Sequence, residues 1–189
     1  VGHMHRGDWL VEPGLHAPTL RIEAWLRLLG DWPAPLRHDA RVHLHLGSAD
    51  LGARVLMPRQ RAVQPGEDAM VQLVLDAPTS AVTGQRFVLR DQAGRSLLGG
   101  GQVLDPLANQ KRQSMALRQA KAAALALPSP AEALAALAAI PGFEPDTGWF
   151  ARCCGLTTEA LTTLLAEGDL VLVGNSAIAR TRFARLGDV

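Results

Sequence analysis

The sequence predicts a mainly β chain that turns α: an antiparallel β-barrel, then a helical linker, then a winged-helix domain. Three observations predict it. Up to Pro106 the chain is a series of short alternating or apolar runs broken by Gly, Pro and Asp; after Pro106 come long Ala- and Leu-rich stretches. The early runs are separated by turn signals, Gln64-Pro65-Gly66-Glu67 and Ala93-Gly94 among them, at hairpin-like distances. Such strands close into a barrel rather than leave their edges open to other chains. Finally, residues 147–161 have helix-turn-helix spacing. The expected layout is residues 1–4 a cloning scar, 5–15 the tail of a preceding domain and a linker, 16–106 the barrel, 107–128 the linker helix and 129–189 the winged-helix domain.

Six strands are expected, in order. Residues 20–29 are apolar on both sides and alternate poorly. Residues 41–47 alternate cleanly, which turns Val42, Leu44 and Leu46 inward and Arg41, His43 and His45 outward. Residues 52–56 follow, then 69–75 with Val71, Leu73 and Leu75 on one face. Residues 85–91 place Phe87 and Leu89 inside and Arg86 and Arg90 opposite, and residues 96–104 complete the set. This last run contains Gly99-Gly100-Gly101, where a strand should gain side chains. Glycine there lets a barrel bend or lets a neighbouring backbone approach closely. Asp105-Pro106 ends the strand, because proline cannot donate to the ladder.

The α half reads as follows. Residues 110–126 suit a helix, carry both lysines (Lys111 and Lys121) and stop at Pro128. Ser129-Pro130-Ala131-Glu132 starts another, which ends near Ile140-Pro141-Gly142. A short helix then closes on Gly155, and Thr157 or Thr158 caps the next. Residues 170–173 and 177–180, joined by Gly174-Asn175-Ser176, form a two-stranded wing.

Composition excludes several classes of function. The chain has 189 residues, 48% hydrophobic, with a formal net charge of +1, so bulk charge demands no polyanionic partner. No apolar run reaches the roughly 18 residues of a membrane span, and nothing resembles a signal peptide, so no membrane partner is expected. Val1-Gly2-His3-Met4 reads as the scar. The two cysteines, Cys153 and Cys154, are adjacent, which disfavours a bridge between them and fits a reducing cytoplasm. Neither lysine follows a glycine, so a phosphate-binding loop is absent. There is no HExxH or GxSxG motif and no convincing carboxylate pair, and no catalytic residue, cofactor or metal is assigned. His43 and His45 share a strand face and are two metal ligands at most, beside the simpler reading of a polar outer face. Cys153 is a nucleophile only in principle; a small apolar residue packed under a turn is by far the better reading.

Nucleic-acid binding needs cations, since phosphate contacts supply most of the affinity. The second helix of the helix-turn-helix carries Glu159 and Glu167 and no Lys or Arg, which favours packing or spacing over groove reading. Beyond it, Arg180, Arg182 and Arg185 form a basic end or a solvated rim. The barrel is the better candidate. Arg37, Arg41, Arg90 and Arg95 fall on outward strand positions or loops, and Gly94 gives a bare turn whose backbone N–H groups could meet a phosphate. The equal acids and bases in this half are also what an ordinary charged surface would show.

The order of several stretches resembles the EF-Tu-like translation factors. Arg6-Gly7-Asp8-Trp9-Leu10-Val11-Glu12-Pro13-Gly14 resembles the strand and linker that leave their second domain, and Arg86-Phe87-Val88-Leu89-Arg90-Asp91, Gly94-Arg95 and the Gly-rich last strand resemble their third. The similarity narrows to the selenocysteine-specific elongation factors, SelB. It rests on His43-Leu44-His45-Leu46-Gly47-Ser48-Ala49, Pro65-Gly66-Glu67, Gln72-Leu73, the run from Gly99 to Pro106, and Gly155-Leu156-Thr157-Thr158-Glu159-Ala160-Leu161 with Leu170-Val171. The resemblance implies an EF-Tu domain-3-like barrel followed by the first of several winged helices, in a fragment without its GTPase domain. It implies a non-catalytic part of a factor that delivers selenocysteyl-tRNA to the ribosome at a UGA marked by an mRNA hairpin. GTP and magnesium would sit in the absent GTPase domain. The barrel would help hold the tRNA acceptor and T stem, with Arg37, Arg41, Arg90, Gly94 and Arg95 as RNA-binding candidates, and the winged helix would be a spacer towards the hairpin-binding end. EF-Tu often has a basic residue before the proline matching Pro78, where this sequence has Ala77. The alternative is a winged-helix DNA-binding regulator with a β-barrel sensor domain, which the acidic second helix argues against.

Overall fold

The computed structural model describes residues 8–108 and 113–186, except the side chains of residues 182, 185 and 186. Val1-Gly2-His3-Met4, His5, Arg6-Gly7, Lys111, the expected start of the linker helix and the side chains of Arg182 and Arg185 lie outside the described residues. The chain divides into two compact units, one built on the strands from Ala17 onwards and one on the helices, the latter taking in Glu12–His16.

The strand unit contains β1 (Thr19–Leu28), β2 (Leu36–Arg37), β3 (Ala40–Leu46), β4 (Ala49–Leu56), β5 (Ala62–Val63), β6 (Asp68–Thr79), β7 (Arg86–Arg90) and β8 (Leu97–Asp105). Six of them close into a barrel in the order β1-β6-β4-β3-β7-β8, and β8 pairs back onto β1. Every barrel pairing is antiparallel, so the closed antiparallel barrel expected from the sequence is the observed one. Period-2 patterning fills it. Val42, Leu44 and Leu46 of β3, Val71, Leu73 and Leu75 of β6, and Phe87 and Leu89 of β7 are all buried in one core. β1 differs from its reading. Ile22, Ala24, Leu26 and Leu28 point in, while Trp25 is 47% exposed. The strand alternates only from Ala24 to Leu28; Ile22, Glu23 and Ala24 are all buried, where the register against β8 shifts. β2 and β5, unforeseen, make a two-stranded ribbon with Leu36 opposite Val63 and Arg37 opposite Ala62.

The glycines of β8 have a steric cause. A Cβ on Gly101 would collide with the Trp25 carbonyl, one on Gly99 with the Arg27 carbonyl, and one on Gly100 would lie 2.7 Å from the Phe87 carbonyl oxygen. The closing strand is squeezed between the backbones of β1 and β7, and the bare stretch is needed by the barrel itself. Past it, the Asp105 carboxylate accepts the Leu107 N–H at 3.0 Å and turns the chain out of the sheet.

The helical unit holds α1 (Met115–Leu125), α2 (Pro130–Ala139), α3 (Thr147–Cys154), α4 (Thr158–Glu167), β9 (Leu170–Val173), β10 (Ser176–Ala179) and α5 (Arg180–Leu186). Each of the first four helices starts on a side-chain cap: Ser114 on Leu117 N–H, Ser129 on Ala131 N–H, Asp146 on Trp149 N–H and Thr157 on Ala160 N–H. α3 ends at Gly155 in the left-handed conformation (φ 65°). The wing strands pair over their whole length, and Pro145 and Asn175 carbonyls accept from Ala177 and Thr147 to fasten the wing to the start of α3. Leu125, Leu134, Leu137, Phe150 and Ala177 form the core. Lys121 is buried, its Nζ lying 5.4 Å from the Phe143 ring centre and 4.9 Å from that of Trp149. Among the described residues no helix is long and apolar enough to cross a membrane.

Candidate nucleic-acid interface on the barrel

The inward set of β3 leaves Arg41, His43 and His45 on the outer face. Their neighbours follow from the register. Arg41 lies opposite Arg54 of β4; His43 lies between Gly52 of β4 and Arg90 of β7; His45 lies between Asp50 and Val88. The turn between β7 and β8 folds back beside the same stretch of β3, since position 94 comes within 4 Å of the His43 ring. Four of the expected residues, Arg41, Arg90, Gly94 and Arg95, thus gather at the β3 start and the adjoining turn. Arg37 precedes β3 in the β2–β5 ribbon. Asp39, in the left-handed conformation (φ 65°) with its N–H on the Val55 carbonyl, turns the chain between them.

The arginine side chains are exposed. Arg90 donates to the Gly94 carbonyl at 3.3 Å and Arg54 to the Asp39 carboxylate at 3.0 Å. Arg37, Arg41 and Arg95 have no carboxylate partner among the described residues. Within the turn, the Gly94 N–H goes to the Asp91 carbonyl at 2.8 Å, and the Arg95 and Ser96 N–H groups go to the Asp91 carboxylate at 2.7 and 3.3 Å. Gly94 has a positive φ (67°), and the guanidinium of Arg95 is exposed beside it.

The two histidines lean on one acid, with His43 Nδ1 3.4 Å and His45 Nε2 3.9 Å from Asp50 Oδ1. The described residues contain no group of three potential ligands able to hold a metal. In the helical unit Cys153 is buried, and burial pushes the Cys154 thiol up to about 11. A thiol held protonated is a poor nucleophile. α4 exposes Glu159 and Glu167 and carries no cation.

Sequence reasoning missed a cleft of about 600 Å³ lined by Arg37, His38, Met57, Pro58, Arg59, Gln60 and Arg61. The signal present in the sequence was Arg59-Gln60-Arg61 just past a proline. It says nothing about Arg37 until β2 and β5 pair.

Residues 21–110 match the family model described as selenocysteine-specific elongation factor, beta-barrel domain. Three curated relatives, each named selenocysteine-specific elongation factor, are similar in sequence. The chain is 28% identical over 113 residues to that of Desulfomicrobium baculatum, 26% over 102 to that of Haemophilus influenzae and 30% over 112 to that of Escherichia coli. The matches cover 60%, 54% and 58% of this chain but only 18%, 16% and 16% of those proteins. The chain therefore spans less than a fifth of the relatives it matches.

Proposed function

We propose, from the premise that the barrel is of the selenocysteine-specific elongation factor type, that this chain is a non-catalytic RNA-handling part of such a factor. The observation that carries the reading is the coincidence of the family match, residues 21–110, with the closed barrel. The barrel helps hold selenocysteyl-tRNA, and Arg37, Arg41, Arg90 and Arg95 supply its cations. Gly94 shapes the turn that carries Arg95. GTP and magnesium belong to a GTPase domain of the full-length protein, and that protein as a whole meets the ribosome and the mRNA hairpin in the cytoplasm. The α3–α4 unit with its wing is a spacer towards the end that binds the mRNA hairpin. Its support is the acidic α4, which repels rather than attracts a phosphate backbone.

The test is fluorescence anisotropy of a labelled selenocysteine-tRNA transcript against the 189-residue chain. Weak, salt-sensitive binding is expected. Arg41→Ala with Arg95→Ala should weaken it roughly tenfold and lower the slope of log K against log salt by about two, one for each lost phosphate contact. Binding that keeps its affinity and slope in the double variant would remove both residues from the interface.

A further inference from the structure

The barrel offers no strand edge, because β8 closes onto β1. The wing does. Its β10 side is covered: Asp146 bridges Ser176, and the Ala177 N–H donates to the Pro145 carbonyl at 3.0 Å. That bond also fixes the parity of the wing ladder. Ala177 lies opposite Leu172. A residue whose N–H points away from the facing strand belongs to a non-hydrogen-bonded pair, so Leu172 also turns its N–H and C=O away from β10. Both groups reach the outer edge of β9. Neither has a backbone partner outside the wing ladder among the described residues.

Nothing blunts this edge. Leu170-Val171-Leu172-Val173 carries no charge and no proline, and its pairing runs without a bulge. Those are the devices that keep exposed strands apart. The side chains lack cover as well. Leu170 packs against the helical core. Leu172, two residues on, shares that face of the sheet, yet it is 51% exposed, and Val173 is 49% exposed.

We infer that β9 is a self-association edge, pairing antiparallel with β9 of a second copy of this chain and joining two wings into one continuous sheet. The strand itself selects this occupant. Leu170-Val171-Leu172 reads the same in both directions. With a two-fold axis at Val171, Leu172 of each copy faces Leu170 of the other. The two outward-turned pairs exchange N–H···O=C bonds, and the half-exposed Leu172 is carried onto a residue already seated on a core. Charge selects the direction. Exposed Asp169 immediately precedes the strand. Antiparallel pairing holds the two copies of Asp169 at opposite ends, whereas parallel pairing would set them side by side. So short a contact makes a weak dimer, with a dissociation constant of about 100 μM. The inference stands apart from the RNA-handling reading, since none of the barrel arginines proposed there takes part.

The experiment is sedimentation velocity of the 189-residue chain over a dilution series from micromolar to millimolar, with amide hydrogen exchange at both ends of the series. The parent should pass from monomer to dimer, and the Leu172 amide should exchange several-fold more slowly at the high end. Leu172→Pro removes the outward N–H without touching a ladder bond. Leu172→Lys places a charge on the edge. Each should weaken the dimer by about tenfold or more. A circular-dichroism melt checks folding, and the lysine variant decides the matter if the proline variant does not fold. Leu172→Thr keeps the N–H and should keep a weakened dimer. Trp25→Ala removes the exposed ring of the barrel and should leave the dissociation constant unchanged. A parent that stays monomeric throughout overturns the inference. So does a dimer that survives Leu172→Lys, or one that Trp25→Ala dissolves, which would place the contact on the barrel. All three results leave the RNA-handling reading untouched, and loss of RNA binding alone leaves the β9 edge standing.

Discussion

A methyl group at position 101 would run into the Trp25 carbonyl and come within 2.9 Å of the Phe87 ring. Neither partner can retreat, since one is backbone of β1 and the other core. Gly101→Ala should cost about 3 kcal/mol or more, at the upper end for overpacked cores, read as a lowered urea midpoint or loss of soluble protein. Gly142→Ala is the contrast: nothing lies within 4 Å of its Cβ, though its φ is 72°. Only the left-handed strain of about 1 kcal/mol should appear. The glycine run was legible in the sequence as a place of close approach; which backbone approached was not, because that depends on β8 closing against β1. Cys154 gives a second residue-scale test. Its thiol is raised from 9.0 to about 11 by desolvation, so the fold favours the protonated form. That preference is fully present below the unfolded pKa and is lost as pH rises from about 9 to about 11. Stability should fall through this window, and Cys154→Ala should flatten the fall. The chain has no tyrosine, but a second cysteine and two lysines have ordinary ranges that overlap this window, so the difference between parent and Cys154→Ala in a chemical-denaturation series in pH carries the effect. A fall of equal size in the variant would show that the thiol is not its source.

Elements formed where local signals and tertiary pairing agreed. Thr157 caps α4 through Ala160 N–H at 3.2 Å, just past the left-handed Gly155, and both residues were readable in advance. Thr157→Ala should destabilise the helical unit by about 1 kcal/mol, seen as a lower midpoint in a thermal melt followed at the helix band. An unchanged midpoint would mean that packing, not the cap, fixes where α4 starts. The long strands were legible for the same kind of reason: β3 and β7 carry strict alternation over a buried face. β2 and β5 were not, because two-residue strands have no period to detect and exist only through each other. α5 was missed because it follows β10 with no intervening residue, leaving no loop signal between wing and helix. β1 alternates less strictly than β3, because Glu23 is buried between Ile22 and Ala24 at a register shift and Trp25 puts an apolar ring on the outer face.

At the scale of the molecule, the arginines of the candidate interface were found from outward strand parity, and the barrel topology brings four of the five proposed positions around the start of β3. The cleft lined by Arg37 and Arg61 was invisible to that reasoning, because the two residues are 24 positions apart in the chain and come together only through the ribbon. The same topology leaves a vacancy in the charge pattern at Ala77. It is exposed near the end of β6, immediately before Pro78, the position at which the resemblance to EF-Tu implies a basic residue. Asp76 beside it is exposed as well, so this edge of the barrel now presents negative charge. If tRNA lies over this edge, Ala77→Lys adds one phosphate contact. Affinity for the selenocysteine-tRNA transcript should then rise several-fold at low salt, and the salt slope should steepen by about one. Ala77→Gln, of similar length and uncharged, should do neither. A lysine that leaves the slope at its parent value would move the RNA away from β6 and confine it to the side of the barrel carrying Arg41, Arg90 and Arg95. A slope that steepens as much for the unrelated duplex would mark the edge as a general backbone contact with no preference for tRNA.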